Sequence, residues 1–201
     1  MIMKKKMQQK LPITRERAIE LLKSMPQKDS DWNHYLESEA IMRAVAEKFG
    51  EDVEYWGMLG LLHDVDWALT KENWEEHCVK AEEILKENYF DEEFIQTIQS
   101  HGYGYNEIPK FKDKKREKKI EHALAASETV TGLIYAYALM RGRKISDMDI
   151  SGLKKKFKDK SFAANCNREI IKEIEQIIPL DEFFGIAIKA MQGIKEDIGL
   201  E

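Results

Sequence analysis

Leu59-Gly60-Leu61-Leu62-His63-Asp64-Val65-Asp66-Trp67 is an apolar run that closes on a histidine and two carboxylates. Burying a carboxylate is costly unless it is paired, hydrogen-bonded or bound to a metal, so three ionisable groups at the end of such a run need compensation. Along a helix the neighbours His63 and Asp64 diverge by about 100° and do not share a face. At a helix end both side chains can swing towards one point, and a metal ion at that point is the economical way to satisfy them.

On either side of this run the apolar spacing is helical nearly everywhere. Val and Thr are scarce, no alternating strand pattern emerges, and Pro12, Pro26, Pro109 and Pro179 all fall between periodic segments. The expectation is an all-α fold in one domain, a single helical bundle over residues 14–201 after a flexible segment, residues 1–13. Thr14 is placed to cap a first helix whose Ala18, Leu21, Leu22 and Met25 line one side, expected to pack as a lid. A second helix starts near Ser30 or Asp31, carries His34 in its first turn and stops at Gly50. The third, from about Asp52, leads to His63 and Asp64.

Asn73-Trp74-Glu75-Glu76 has the cap-and-returning-acid pattern of a helix start, which puts His77 in the first turn of a fourth helix. Asp91 caps a fifth that ends at His101, just before Gly102 and Gly104. A long helix over residues 120–140 carries Glu128 among small and apolar neighbours. C-terminal helices are expected within residues 146–199, near 150–157, 167–178 and 181–198.

A chain of 201 residues can bury a sizeable core as one domain. With 43% hydrophobic and 34% charged residues it reads as globular rather than disordered. The net charge of −5 gives no clear nucleic-acid signal. Cys78 and Cys166 are far apart and match neither a disulfide framework nor a CxxC metal site, which suits a reducing compartment. The lysine-rich start leads into Met7-Gln8-Gln9-Lys10 rather than an apolar core, so it does not read as a signal peptide. The longest uncharged, mostly apolar stretch, residues 129–140, is shorter than the ~18 residues of a membrane span. A cytoplasmic protein with no membrane partner is expected; its oligomeric state is not legible.

The chain has five histidines, His34, His63, His77, His101 and His122. A His, then a His-Asp pair, then single histidines and a downstream acid on separate helices resembles the HD superfamily of metal-dependent phosphohydrolases. The resemblance covers about residues 32–139, with a looser likeness over 150–168. It implies an HD-type bundle with the metal site among its central helices, and His34, His63 and Asp64 as ligands of one divalent ion. The family's next ligand is an aspartate in a segment of the form Ala-Asp-x-x-(Thr)-Gly-Leu-Ile. Here Ala125-Ala126-Ser127-Glu128-Thr129-Val130-Thr131-Gly132-Leu133-Ile134 places Glu128 in that slot. His77 and His101 match the positions that serve a second ion, with Asp64 then bridging the two.

Imidazole nitrogen with carboxylate oxygen suits Mn, Fe, Co, Ni, Zn or Mg, one or two per chain, and the lack of a cysteine cluster argues against structural zinc. His77 after two acids reads equally as a solvated residue, and His101 near a helix C-terminus as one favoured by the dipole. His122 fits no slot and reads as structural. Asp64 and Asp66 are the candidate catalytic acids, Asp66 either positioning or deprotonating a metal-bound water or serving as a loop cap for the next helix. Arg168 and the lysine run at 154–160 are candidates for binding substrate phosphate, Arg168 the stronger, with a solvated helix face as the other reading of the lysines.

The implied activity is hydrolysis of a phosphomonoester or phosphodiester, with a nucleotide as a candidate small-molecule substrate. Two alternatives stand beside it: an HD-scaffold nucleotide-binding or regulatory module with weak turnover, motivated by Glu128, and a dinuclear iron oxygenase using the same ligands.

Overall fold

A computed structural model describes residues 9–201, all helix and connecting turns, with no β-strand among the described residues. The elements are α1 (Arg15–Lys23), α2 (Asp29–Phe49), α3 (Val53–Leu62), α4 (Trp67–Thr70), α5 (Ala81–Glu87), α6 (Glu92–Gln99), α7 (Lys119–Met140), α8 (Ile150–Lys158), α9 (Arg168–Lys172) and α10 (Leu180–Gly193). Single 3-10 turns at Trp74–Glu76, Ser100–Gly102 and Glu173–Gln176 link them.

The termini follow from local chemistry. Thr14, Asp52, Asp91, Asp149 and Asn167 each accept a hydrogen bond from a first-turn amide of the helix they open, satisfying donors that have no partner within the helix. Gly50 ends α2 with φ +65°, a left-handed position that costs glycine little.

α3 is the buried axis: every residue from Tyr55 to Leu62 is inside. α2 packs along it, and α7 and α10 pack on α2. The α2–α3 approach is close enough that a Cβ on Gly60 would lie 2.5 Å from the Ser38 carbonyl oxygen, so only glycine fits. Leu59, Leu61, Leu62, Ile41, Met42, Leu124 and Ile134 are fully buried, each contributing about 1.5–3 kcal/mol of transfer free energy. α7 has the length and apolar content of a membrane span, but 67% of its apolar window is packed inside the molecule, as in a core helix.

Four expectations need adjustment. α1 is no lid: it packs on α3 with Ala18 and Leu22 fully buried. Residues 1–8 of the segment expected to be flexible lie outside the described residues; beyond them, Leu11 and Ile13 pack on the core. Residues 167–178 form α9 and a 3-10 turn instead of one helix. His77 is not in a helix; it follows a 3-10 turn in extended backbone, Cys78 adopts φ +62°, and α5 begins only at Ala81. A left-handed residue does not continue a right-handed helix, so the helix start at Asn73 fails there.

Candidate metal centre

α3 ends at Leu62, and residues 63–66 form a tight turn in which the Val65 amide donates to the Leu62 carbonyl and the Trp67 amide to the Asp64 carbonyl. This turn frees both His63 and Asp64 to face the interior. His34 comes in from α2, one turn deeper than expected because α2 starts at Asp29. His77 and Cys78 come from the loop before α5, His101 from the 3-10 turn after α6, and Glu128 from the middle of α7.

The four imidazoles form two pairs. His34 Nε2 lies 3.0 Å from His63 Nε2, and His77 Nε2 lies 3.2 Å from His101 Nε2. Asp64 stands between them: its Oδ1 is 3.6, 3.4 and 3.2 Å from the Nε2 atoms of His63, His77 and His101, and its Oδ2 is 3.8 Å from that of His34. In all four rings the other nitrogen is occupied. His63 Nδ1 reaches the Gly60 carbonyl at 2.8 Å and His101 Nδ1 the Ile98 carbonyl at 2.6 Å, each among the last carbonyls of its helix. His34 Nδ1 lies 2.9 Å from Thr131 Oγ1, whose own proton goes to the Glu128 carbonyl. His77 Nδ1 lies 3.1 Å from Asp66 Oδ1. An oxygen on Nδ1 fixes the tautomer that turns the Nε2 lone pair inward, the arrangement of metal-ligating histidines.

The electrostatics agree. Burial pushes His63 down to about 3, with Asp64 opposing and His34 and His101 reinforcing the shift, so its ring is neutral at physiological pH. Burial acts to raise Asp64, but His63, His101 and His77 outweigh it and hold the carboxyl well below its usual range. Burial acts to lower His77 and His101, yet Cys78 and Asp64, joined at His77 by the hydrogen bond to Asp66, bring both well above the ordinary imidazole value. Burial raises the Glu128 carboxyl, partly offset by His101 and His34.

Glu128 brings a carboxylate oxygen within 4.8 Å of ligand atoms on both His34 and His63, while its Oε1 accepts from the Thr129 hydroxyl. His77, Cys78 and His101 form a second group of the same compactness. The imidazole, carboxylate and thiol donors of these clusters suit divalent cations.

Of the two readings of Asp66 the structure keeps the cap for the next helix, and the role expected of Arg168 changes. Asp66 does not face the cluster: Oδ1 is on His77 Nδ1 and Oδ2 accepts the Ala81 amide at 3.1 Å, so it orients His77 and caps α5 rather than accepting a proton from substrate water. Arg168, expected to hold phosphate, donates to the carbonyls of Phe157, Asp159, Phe162, Ala163 and Cys166 and ties down the loop between α8 and α9. His122, read as structural, has its Nδ1 3.2 Å from Glu173 Oε2.

Sequence reasoning missed Cys78 and the aromatic wall. Trp67, Trp74, Tyr105 and Ile108, with Asp64, His77, His101 and Glu128, line a cavity of about 130 Å³. The adjacency His77-Cys78 was the available signal for the thiol; nothing in the spacing of the aromatics marked the wall.

Residues 31–147 match the family model described as HD domain. Among curated proteins the chain is similar to three named Ribonuclease Y: 26% identical to those of Mycoplasma mycoides subsp. mycoides SC and Mycoplasma capricolum subsp. capricolum, and 27% to that of Mycoplasma mycoides. These matches cover 63% of this chain and 30 to 37% of the relatives, so the chain spans about a third of their length. No solved structure matches it. Together with the convergence of the histidines on the His63-Asp64 turn, the family match shows that this chain belongs to the HD-domain family.

Proposed function

We propose that the protein is a two-metal phosphohydrolase acting on a nucleotide-type phosphoester. The observation that carries this reading is the convergence of four Nε2 atoms on one carboxylate, each ring locked through its Nδ1. His34, His63 and Glu128 would hold one ion, His77 and His101 the other, and Asp64 would serve both. When bound, such ions supply Lewis acidity that activates water near neutral pH and stabilises both attacking and leaving oxygens of a phosphoryl transfer.

The chain's own residues supply the rest. Asp66 accepts the proton of His77 Nδ1, and the Gly60 and Ile98 carbonyls do the same for His63 and His101, so these rings are oriented before an ion arrives. The 130 Å³ cavity has room for a phosphoryl group and not for a whole nucleotide. The remainder of the substrate would therefore lie at the rim, where Trp74 is 43% exposed beside Tyr105 and offers a flat face to a base. The Ribonuclease Y name of the relatives supports a phosphodiester among the substrates.

The test is hydrolysis by protein loaded with Mn, Co, Ni or Mg, against 5′-mononucleotides, cyclic nucleotides and a short oligoribonucleotide. Turnover that His63→Ala abolishes is the expected result; none from protein carrying two ions per chain overturns the reading. Glu128 in an aspartate slot favours a second reading, a nucleotide-binding module with weak turnover. Calorimetry showing tight nucleotide binding without product would select it.

A further inference from the structure

We propose that Cys78 is a ligand of the second ion, so that Cys78 Sγ, His77 Nε2, His101 Nε2 and Asp64 Oδ1 form one four-donor site. This inference rests on the two-ion reading above and adds to it a soft donor and a metal preference.

The distances carry it. Cys78 Sγ lies 3.4 Å from His101 Nε2, which lies 3.2 Å from His77 Nε2; Asp64 Oδ1 is 3.4 and 3.2 Å from those two nitrogens. A four-coordinate ion with bonds of about 2.0–2.3 Å to nitrogen, oxygen and sulfur separates its donors by roughly 3.3–3.6 Å. These four separations are close to edges of a coordination tetrahedron. The thiol, His77 and His101 also form one of the two groups whose ligand atoms all lie within 4.8 Å of one another.

The backbone is arranged to bring the sulfur there. Adjacent side chains in extended or helical backbone diverge, so His77 and Cys78 would not ordinarily meet at one point. Cys78 has φ +62°, a left-handed conformation unfavourable for a non-glycine residue, and it adopts this where its thiol joins the imidazoles. On the far side Gly102 leaves the room the sulfur occupies: a Cβ there would lie 2.8 Å from Sγ. Cys78 itself is fully buried and packs with Tyr103, Ile108 and Phe111, which keep bulk water from the thiol. A thiolate donor favours Zn, Co or Fe over Mg and Mn at this position, whereas the site of His34, His63 and Glu128 offers only nitrogen and oxygen.

The experiment is a cobalt(II) titration of the full chain, followed by absorption and by equilibrium dialysis, on the native protein, Cys166→Ser and Cys78→Ser. The chain has two cysteines, so Cys166→Ser leaves Cys78 as its single thiol. The expected result is a near-ultraviolet thiolate-to-cobalt charge-transfer band in the native protein and in Cys166→Ser. Cys78→Ser should lose the band and bind the second ion about 10–100-fold more weakly. Two cobalt ions per chain with no band overturn the role of Cys78 and leave the two-ion reading standing. One ion or none, without a band, overturns both. Should Cys78→Ser fail to fold, the band in Cys166→Ser still decides.

Discussion

His34 Nε2 and His63 Nε2 lie 3.0 Å apart although 29 positions separate them in the chain. Both rings have spent their other nitrogen, on Thr131 Oγ1 and on the Gly60 carbonyl. Two inward lone pairs at that distance repel unless a cation or a shared proton lies between them, and burial has driven His63 down to about 3, far from holding a proton at neutral pH. A divalent ion should therefore stabilise the fold, by about 2.7 kcal/mol at a hundredfold excess over its Kd. Scanning calorimetry of dialysed protein with and without Co or Mn checks this. In His63→Ala, elemental analysis should find one ion fewer per chain.

Asp66 is expected to matter for metal retention rather than proton transfer. Asp66→Asn keeps the size of the side chain but loses the charge facing His77 Nδ1. Loss of such an orienting partner weakens metal binding by about 10–100-fold. Turnover should then fall at low metal and recover at saturating metal, with the melting temperature little changed. A loss that saturating metal leaves untouched would return Asp66 to the proton-accepting role.

Glu37 is a buried acid whose Oε1 has no hydrogen-bond partner, and burial raises its pKa well above the usual carboxylate value. The sign follows: with the folded pKa above the unfolded one, the unfolded state releases its proton first, so this group's favourable contribution is present at low pH. It is lost as pH rises from about 4.5 through the raised folded value. Glu37→Gln should therefore be more stable than the native chain at pH 8, by about 1–3 kcal/mol, and the gap should close at pH 4. Denaturant melts at the two pH values measure it.

The helices were legible because caps and apolar spacing are local: Thr14, Asp52 and Asp91 open the helices their sequence positions indicate. The ring partners were not, since His34 finds Thr131 across 97 positions and Asp66 turns to Ala81 only because α5 starts there. Cys78 is the sharpest case. Its left-handed backbone, which broke the expected helix at His77, is also what brings its sulfur to the histidines.

Gly60 couples the packing to the centre. Gly60→Ala would put a methyl 2.5 Å from the Ser38 carbonyl, against backbone that has no rotamer to yield, and would move the carbonyl that orients His63. Overpacking of this kind costs about 1–3 kcal/mol. The variant should show a lowered melting temperature and weaker metal binding together, by calorimetry and dialysis; loss of one without the other would uncouple the α2–α3 approach from the His63 ring.

Arg168 gives a test that separates structure from substrate binding. Its Nη1 donates to the Ala163 and Cys166 carbonyls at 2.6 and 2.7 Å, and Nη2 donates to Phe162, closing the loop that follows α8. Arg168→Ala would remove these hydrogen bonds and loosen the half-buried loop, at a cost of about 1 kcal/mol. For a chain of this size that lowers the melting temperature by about 2–4 °C per kcal/mol. Arg168→Lys, with one ammonium in place of a planar fork, should recover only part of the loss. KM for a phosphoester should be unchanged in both variants. A tenfold rise in KM at an unchanged melting temperature would instead place the guanidinium on substrate phosphate.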